Sequence, residues 1–127
     1  MMVGMGLHGE PGVETTTLKT ADETCALMIE RILLDLPLRP GDQVNLLVNG
    51  YGSTTVMELL IIARSACLKL GERGISVYEG LTGNYCTSQE MAGCSITLIR
   101  LDDESRSLWD DPAWSPGFSK MPAPLRG

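Results

Sequence analysis

Phenylalanine occurs once in 127 residues, histidine once, and aromatic residues together make up 5% of the chain. A core must therefore be assembled from Leu, Ile, Val, Met and Ala. Cations are also scarce. Ten Lys plus Arg face sixteen Asp plus Glu, giving a net charge of −6 and a pI near 4.6. A nucleic-acid binder needs surplus cations to neutralise phosphates, so that class of partner is excluded. No apolar run approaches the ~20 residues of a bilayer span. Residues 1–12 contain neither the basic nor the apolar region of a signal peptide. No membrane partner is expected, and a cytoplasmic location is. Metal-ligand spacing is missing too. Cys25, Cys67, Cys86 and Cys94 form no C-x-x-C pair, and a single histidine cannot complete a zinc set, so no metal site is expected. Cys25 and Cys67 fall on apolar helix faces, where a reduced thiol packs as a small hydrophobe.

What is present is an ordinary globular mixture, 43% hydrophobic and 20% charged, of a length that suits one domain. Residues 2–7 read as the end of a strand, and His8-Gly9-Glu10-Pro11-Gly12 as a turn. Thr20 followed by Asp22 and Glu23 is an N-cap with a capping-box acid, opening a helix that ends before Pro37. Residues 44–48 are apolar on both faces apart from Asn45, the pattern of a central strand, and 49–53 read as a Gly-containing loop. A second helix over 55–70 has one stripe at Val56, Leu59, Leu60, Ala63, Cys67 and Leu70, the expected core face. A further stripe at Met57, Ile61 and Leu68 leaves little polar surface, so one flank should meet the sheet and the other a second chain or domain. A strand over 75–81, a helical turn over 88–91, a strand over 95–101 and a short helix over 102–109 follow. From Asp111 onward Pro112, Pro116, Pro122 and Pro124 predict an extended or disordered tail. This order of elements predicts an α/β layer domain.

Three features could carry chemistry. Gly4-Met5-Gly6-Leu7-His8-Gly9 matches G-x-G-x-x-G, but Pro11-Gly12 stops a helix from opening there, so a dinucleotide site is not expected. Gly50 to Ser53 precedes a helix N-terminus but lacks the Lys of a phosphate loop, and a tight strand-to-helix turn is the simpler reading. His8 remains. A neutral imidazole is a competent nucleophile, the flanking glycines leave room for approach, and Glu10 is close enough in sequence to orient the ring. By residue type alone, a solvent-exposed turn histidine is the better reading.

The run Met5-Gly6-Leu7-His8-Gly9-Glu10-Pro11-Gly12 resembles the histidine motif of the substrate-binding subunit or domain of dihydroxyacetone (glycerone) kinases. The likeness continues through Ala21-Asp22-Glu23, Pro37-Leu38-Arg39-Pro40-Gly41-Asp42, Leu47-Val48-Asn49-Gly50 and Met57-Glu58-Leu59. It then takes in Gly83-Asn84-Tyr85-Cys86-Thr87-Ser88, Glu90-Met91-Ala92-Gly93, Ser95-Ile96-Thr97-Leu98 and Leu101-Asp102-Asp103-Glu104. It thus spans nearly the whole chain in order, up to the Pro-rich tail. The resemblance implies a mixed β-sheet covered by helices, a partial copy of the C-terminal domain of that subunit, over residues 1–110. It also implies that His8 is the catalytic, substrate-binding residue. In the family this histidine adds to the ketose carbonyl, giving a covalent hemiaminal that discriminates dihydroxyacetone from glycerol. Gly6, Gly9 and Glu10 would support it.

The departures shape the remaining expectations. Family members carry, ahead of the motif, a domain with a Gly-rich substrate loop, a further histidine and an acidic base, whereas His8 comes almost at the start here. The domain is therefore expected to be N-terminally truncated, with other domains or subunits needed for turnover. No cofactor is expected on this chain; ATP/ADP and Mg would sit on a nucleotide-binding kinase partner. Tyr51 and Ser53 depart from the family's usual Gly or Leu types, and Cys94 stands where Phe is usual. The resulting expectation is the substrate-binding part of a phosphotransferase of glycerol metabolism, forming a homo-oligomer. The alternatives are a non-catalytic ketose-binding or co-activator module and a degenerate remnant.

Overall fold

Three capping boxes set where the helices begin. A computed structural model describes residues 1–121. In it, α1 (Ala21–Asp35) opens at Thr20, whose Oγ1 accepts from the Glu23 N–H at 3.3 Å while Glu23 accepts the Thr20 N–H at 2.9 Å. The same reciprocal pair, Thr55 and Glu58, opens α2 (Val56–Gly71). Asp102 and Ser105 open α3 (Asp103–Asp110). Each box satisfies two otherwise orphaned backbone donors and puts acid at the positive end of the helix dipole. None of the described helices is long and apolar enough to cross a membrane.

The sheet is three strands in the order β4–β3–β5, with β3 (Gln43–Gly52) in the middle. β4 (Ser76–Gly83) runs parallel to β3 and β5 (Ala92–Leu101) antiparallel, so the domain is α/β with a mixed sheet. Val44, Leu46 and Val48 of β3 are buried with Ile96 and Leu98 of β5, and α1 and α2 supply Cys25, Ile29, Leu59, Ile62, Ala66 and Leu70. Two shorter antiparallel pairs flank this unit. β1 (Met2–Val3) pairs with β2 (Glu14–Thr15), and β6 (Ala113–Ser115) with β7 (Phe118–Lys120).

The structure differs from the sequence reading at several points. Residues 49–52 are strand, not loop, because the β5 ladder continues through Gly50–Cys94, Tyr51–Gly93 and Gly52–Ala92. The buried face of α2 is Leu59, Ile62, Ser65, Ala66 and Leu70, about a quarter-turn from the stripe read off the sequence. Val56, Leu60 and Cys67 of that stripe are exposed, as are Met57, Ile61 and Leu68. The helix is apolar almost all round, so hydropathy does not choose its orientation. A polar bond helps to: Ser65, 1% exposed, donates its hydroxyl to Asp22 Oδ1 at 2.6 Å across the α1–α2 contact.

The expected helical turn over 88–91 does not form. Thr87 accepts the Gly52 N–H and the Met91 carbonyl accepts the Ser53 N–H, so this segment is stitched to the end of β3 instead. Within the expected Pro-rich tail, residues 113–120 form a hairpin around Pro116-Gly117, where Pro presets φ for a turn. Lys120 anchors it, pairing with Glu79 of β4 at 3.1 Å and lying over the Trp109 ring at 4.5 Å. Pro122 and Pro124 lie outside the described residues. All four cysteines are free.

The boxes make acid sensitivity predictable. Hydrogen bonds from the cap residues hold the Glu23 and Glu58 carboxyls below their ordinary value of 4.5, and Ser105 does the same for Asp102. A carboxyl whose pKa is depressed on folding contributes stability above its unfolded value and loses it as pH falls through the folded one. Melting temperature should therefore fall as the pH drops below about 5. The Glu23→Gln, Glu58→Gln double variant should show a shallower acid limb, measured by thermal denaturation across a pH series.

Candidate active site around His8

The β1–β2 hairpin is the stem that presents His8. Val13 N–H donates to Val3 O and Thr16 N–H to Met1 O, both at 2.9 Å, closing residues 4–12 into a loop. Arg31 of α1 ties the stem down through Glu14 at 3.0 Å. Within the loop, Gly9 N–H donates to Gly6 O and Gly6 N–H to Glu10 O, each at 3.3 Å. Gly9 has φ of +84°, a region that disfavours L side chains. The Gly-x-Gly-x-x-Gly run is thus a hairpin tip, with no strand-to-helix turn that could cradle a dinucleotide.

Glu10 folds back across this tip. Its Oε2 accepts the His8 backbone N–H at 3.1 Å, and its Oε1 stands 4.0 Å from His8 Nδ1. The carboxylate occupies the space a side chain at Gly6 would need; a Cβ there would fall 1.9 Å from Oε2. The structure therefore brings together His8, Gly6, Gly9 and Glu10. The imidazole side chain is 92% exposed and the carboxylate 61%, so the ring faces open solvent.

Beside the stem lies a cavity of about 390 Å³ between residues 1–5, α1 and the ends of β3 and β5. Met1, Met2, Met5, Met28 and Met91, five of the seven methionines, line it together with Cys94. Burial, and then the proximity of Cys25, push the Cys94 thiol up, in keeping with a cysteine that packs as a small hydrophobe. Cys25 is raised by burial too, and its Sγ donates to Ile62 O. Among the described residues, no three His, Cys, Asp or Glu gather to hold a metal ion.

Sequence reasoning missed the clamp that shapes the floor of this end of the sheet. Asn49, 4% exposed, accepts the Tyr85 and Cys86 N–H groups at 2.8 and 2.9 Å and donates to Cys86 O at 2.7 Å. Next to it, Gly50 admits the 84–86 loop, since a Cβ would fall 2.4 Å from Asn84 Oδ1. The available signal was a polar residue following the apolar run of β3, where a buried amide has to find partners.

The described residues thus form a mixed three-stranded sheet with two helices packed on its buried face and a histidine at a glycine-rich hairpin tip. The chain belongs to the Dak1 domain family, whose sequence profile matches residues 1–117. It is 42% identical over 118 residues to a PTS-dependent dihydroxyacetone kinase 2, dihydroxyacetone-binding subunit DhaK, of Listeria innocua, covering 93% of this chain and 36% of that protein. Among solved structures, the dihydroxyacetone kinase operon co-activator Dha-DhaQ superposes with a TM-score of 0.76 at 30% identity. That match covers 84% of this chain and 33% of the other. The dihydroxyacetone kinase from C. freundii in complex with AMP-PNP and Mg2+ gives 0.69 at 25% identity, covering 98% and 22%. The chain thus spans about a third or less of the length of these relatives.

The clamp is testable. Asn49→Ala leaves two buried backbone donors and one acceptor unpaired, and should lower stability by about 3 kcal/mol. Chemical denaturation reads this directly; an unchanged midpoint would show the loop satisfies its own backbone.

Proposed function

We propose that this chain holds a short ketose such as dihydroxyacetone on His8 for phosphoryl transfer to its hydroxyl. The observation that carries the reading is the exposed imidazole beside a carboxylate that the fold positions at one ring nitrogen. With the Nδ1 proton directed toward Glu10, Nε2 keeps its lone pair. Nε2 adds to the carbonyl carbon, the C=O π pair moves to oxygen, that oxygen takes up a proton, and the Nδ1 proton leaves toward Glu10. The product is a neutral hemiaminal. Glycerol has no electrophilic carbon and cannot form it, so selection between two small, similar molecules rests on bond formation, not on hydrogen-bond counting. Gly6 and Gly9 serve this step by leaving room for the carboxylate and for the bend of the tip.

His8 and Glu10 supply capture, not transfer. Nucleotide and Mg are assigned to a kinase partner domain or subunit, in line with the C. freundii enzyme solved with AMP-PNP and Mg2+. The Gly52 N–H, within the Gly50 to Ser53 segment weighed as an anion loop, is already donated to Thr87. The isolated chain accordingly binds without turnover, in the cytoplasm, where its four thiols stay reduced. It associates with copies of itself, given the apolar residues α2 leaves exposed. A second reading is a ketose-sensing co-activator module, favoured by the likeness to Dha-DhaQ.

Carbonyl-labelled dihydroxyacetone mixed with the protein should show a new protein-bound tetrahedral carbon by NMR. His8→Ala should abolish it, and Glu10→Gln and Gly6→Ala should reduce it with the fold intact. Absence of the adduct in the unaltered protein would sink the capture reading. Where the adduct forms, adding a nucleotide-bearing kinase partner separates the two roles: phosphorylated ketose marks the enzyme, none marks the module.

A further inference from the structure

Five of the chain's seven methionines converge on the cavity beside the stem, from three separate parts of the fold. Met1, Met2 and Met5 come from the N-terminal stem and its loop, Met28 from α1, and Met91 from the residues leading into β5. Cys94 of β5 adds a thiol. Leucine is far commoner in the chain, yet only Leu18 lines this space. A demand for apolar volume alone therefore does not explain the choice of residue. Side-chain oxygen comes from Thr24 and Tyr51 only, and among the described residues no Asp, Glu, His, Lys or Arg lines the cavity. Thr24 Oγ1 donates to Met1 Sδ at 3.9 Å, which holds that thioether against α1. Met2 and Met5 are exposed and open the cavity to solvent, while Met1, Met28 and Met91 are half-buried.

We propose that this cavity is a thioether site for a soft monovalent cation, Cu(I), with Ag(I) as its redox-inert analogue. Donor chemistry makes the selection. Soft thioether and thiol sulfur favour Cu(I), whereas Mg2+ and Ca2+ require carboxylate, carbonyl or water oxygen. Zn2+ is held by thiolate, imidazole or carboxylate, and this lining offers at most one of those groups. A single positive charge also costs less to desolvate than two, which matters where no carboxylate is at hand to pair with it. Thioethers carry no proton to lose, so they can ligate without ionising Cys94. Methionine is unbranched and has three rotatable bonds, so Met2 and Met5 at the mouth can close on an ion that the inner side chains already hold. Neither His8 nor Glu10 lines the cavity, and the site stands apart from ketose capture.

The test uses the full chain carrying Cys67→Ser and Cys86→Ser, which removes two exposed thiols that would compete for the ion. With methionine methyl groups labelled with 13C, silver nitrate is titrated into the protein in chloride-free buffer. The methyl signals of Met1, Met2, Met5, Met28 and Met91 should shift saturably. Met57 and Met121, exposed and outside the cavity, should stay where they are. Cu(I) added without oxygen should reproduce the pattern, and Zn2+ should not. Met28→Leu combined with Met91→Leu keeps nearly the same volume and should weaken silver binding by about tenfold or more. The proposal is overturned if silver leaves the cavity methyls unmoved, or if Met57 and Met121 move along with them. It is equally overturned if Zn2+ gives the same shifts, or if the double leucine variant binds silver as tightly as its parent. The readout follows methionine signals with no ketose present, so failure here is distinct from failure of the capture reading.

Discussion

A carboxylate folded over a glycine is the contact on which the candidate site depends. Glu10 can lie across Gly6 only because no Cβ stands in its way, and from there it holds the His8 backbone and approaches the ring. The bend at Gly9 turns the chain so that the imidazole emerges at the tip instead of folding back. Both glycines are thus answers to the same geometric demand, and the stem of β1 and β2 fixes the tip relative to α1. The result is an unusually exposed histidine whose environment is local, set within a few residues of sequence.

The rest of the domain provides a platform. β3 is buried along most of its length, and its end is held by loops that bond to it: Asn49 gathers 85–86, Thr87 takes the Gly52 N–H, and Thr54 takes the Gly93 N–H. These bonds bring the ends of β3 and β5 beside the N-terminal stem, with a methionine-rich cavity between them. Methionine fills irregular space adaptably. That property suits a junction between a rigid sheet and a short hairpin.

How much of this was legible in the sequence depended on range. Thr20 with Glu23, and the acids after Asp102, announced helix starts because capping is decided within four residues. The His8 loop was equally local. The orientation of α2 was not, since an almost wholly apolar helix takes its facing from partners distant in sequence, here Asp22 on Ser65. The extension of β3 through Gly52 depended on β5, some forty residues on, and the missing turn at 88–91 on Gly52 and Ser53. The C-terminal hairpin was obscured by proline content, which predicted an unpaired tail although Pro116 sits where a turn accommodates it.

With a single histidine in the chain, the central claim has a direct spectroscopic test. The two ring nitrogens of His8 can be followed by 15N NMR while dihydroxyacetone is titrated into the protein near neutral pH. Capture through Nε2 predicts that this nitrogen moves saturably from a lone-pair to a substituted signature, with no response to glycerol. An imidazole spectrum unchanged by the ketose at any concentration would contradict the account.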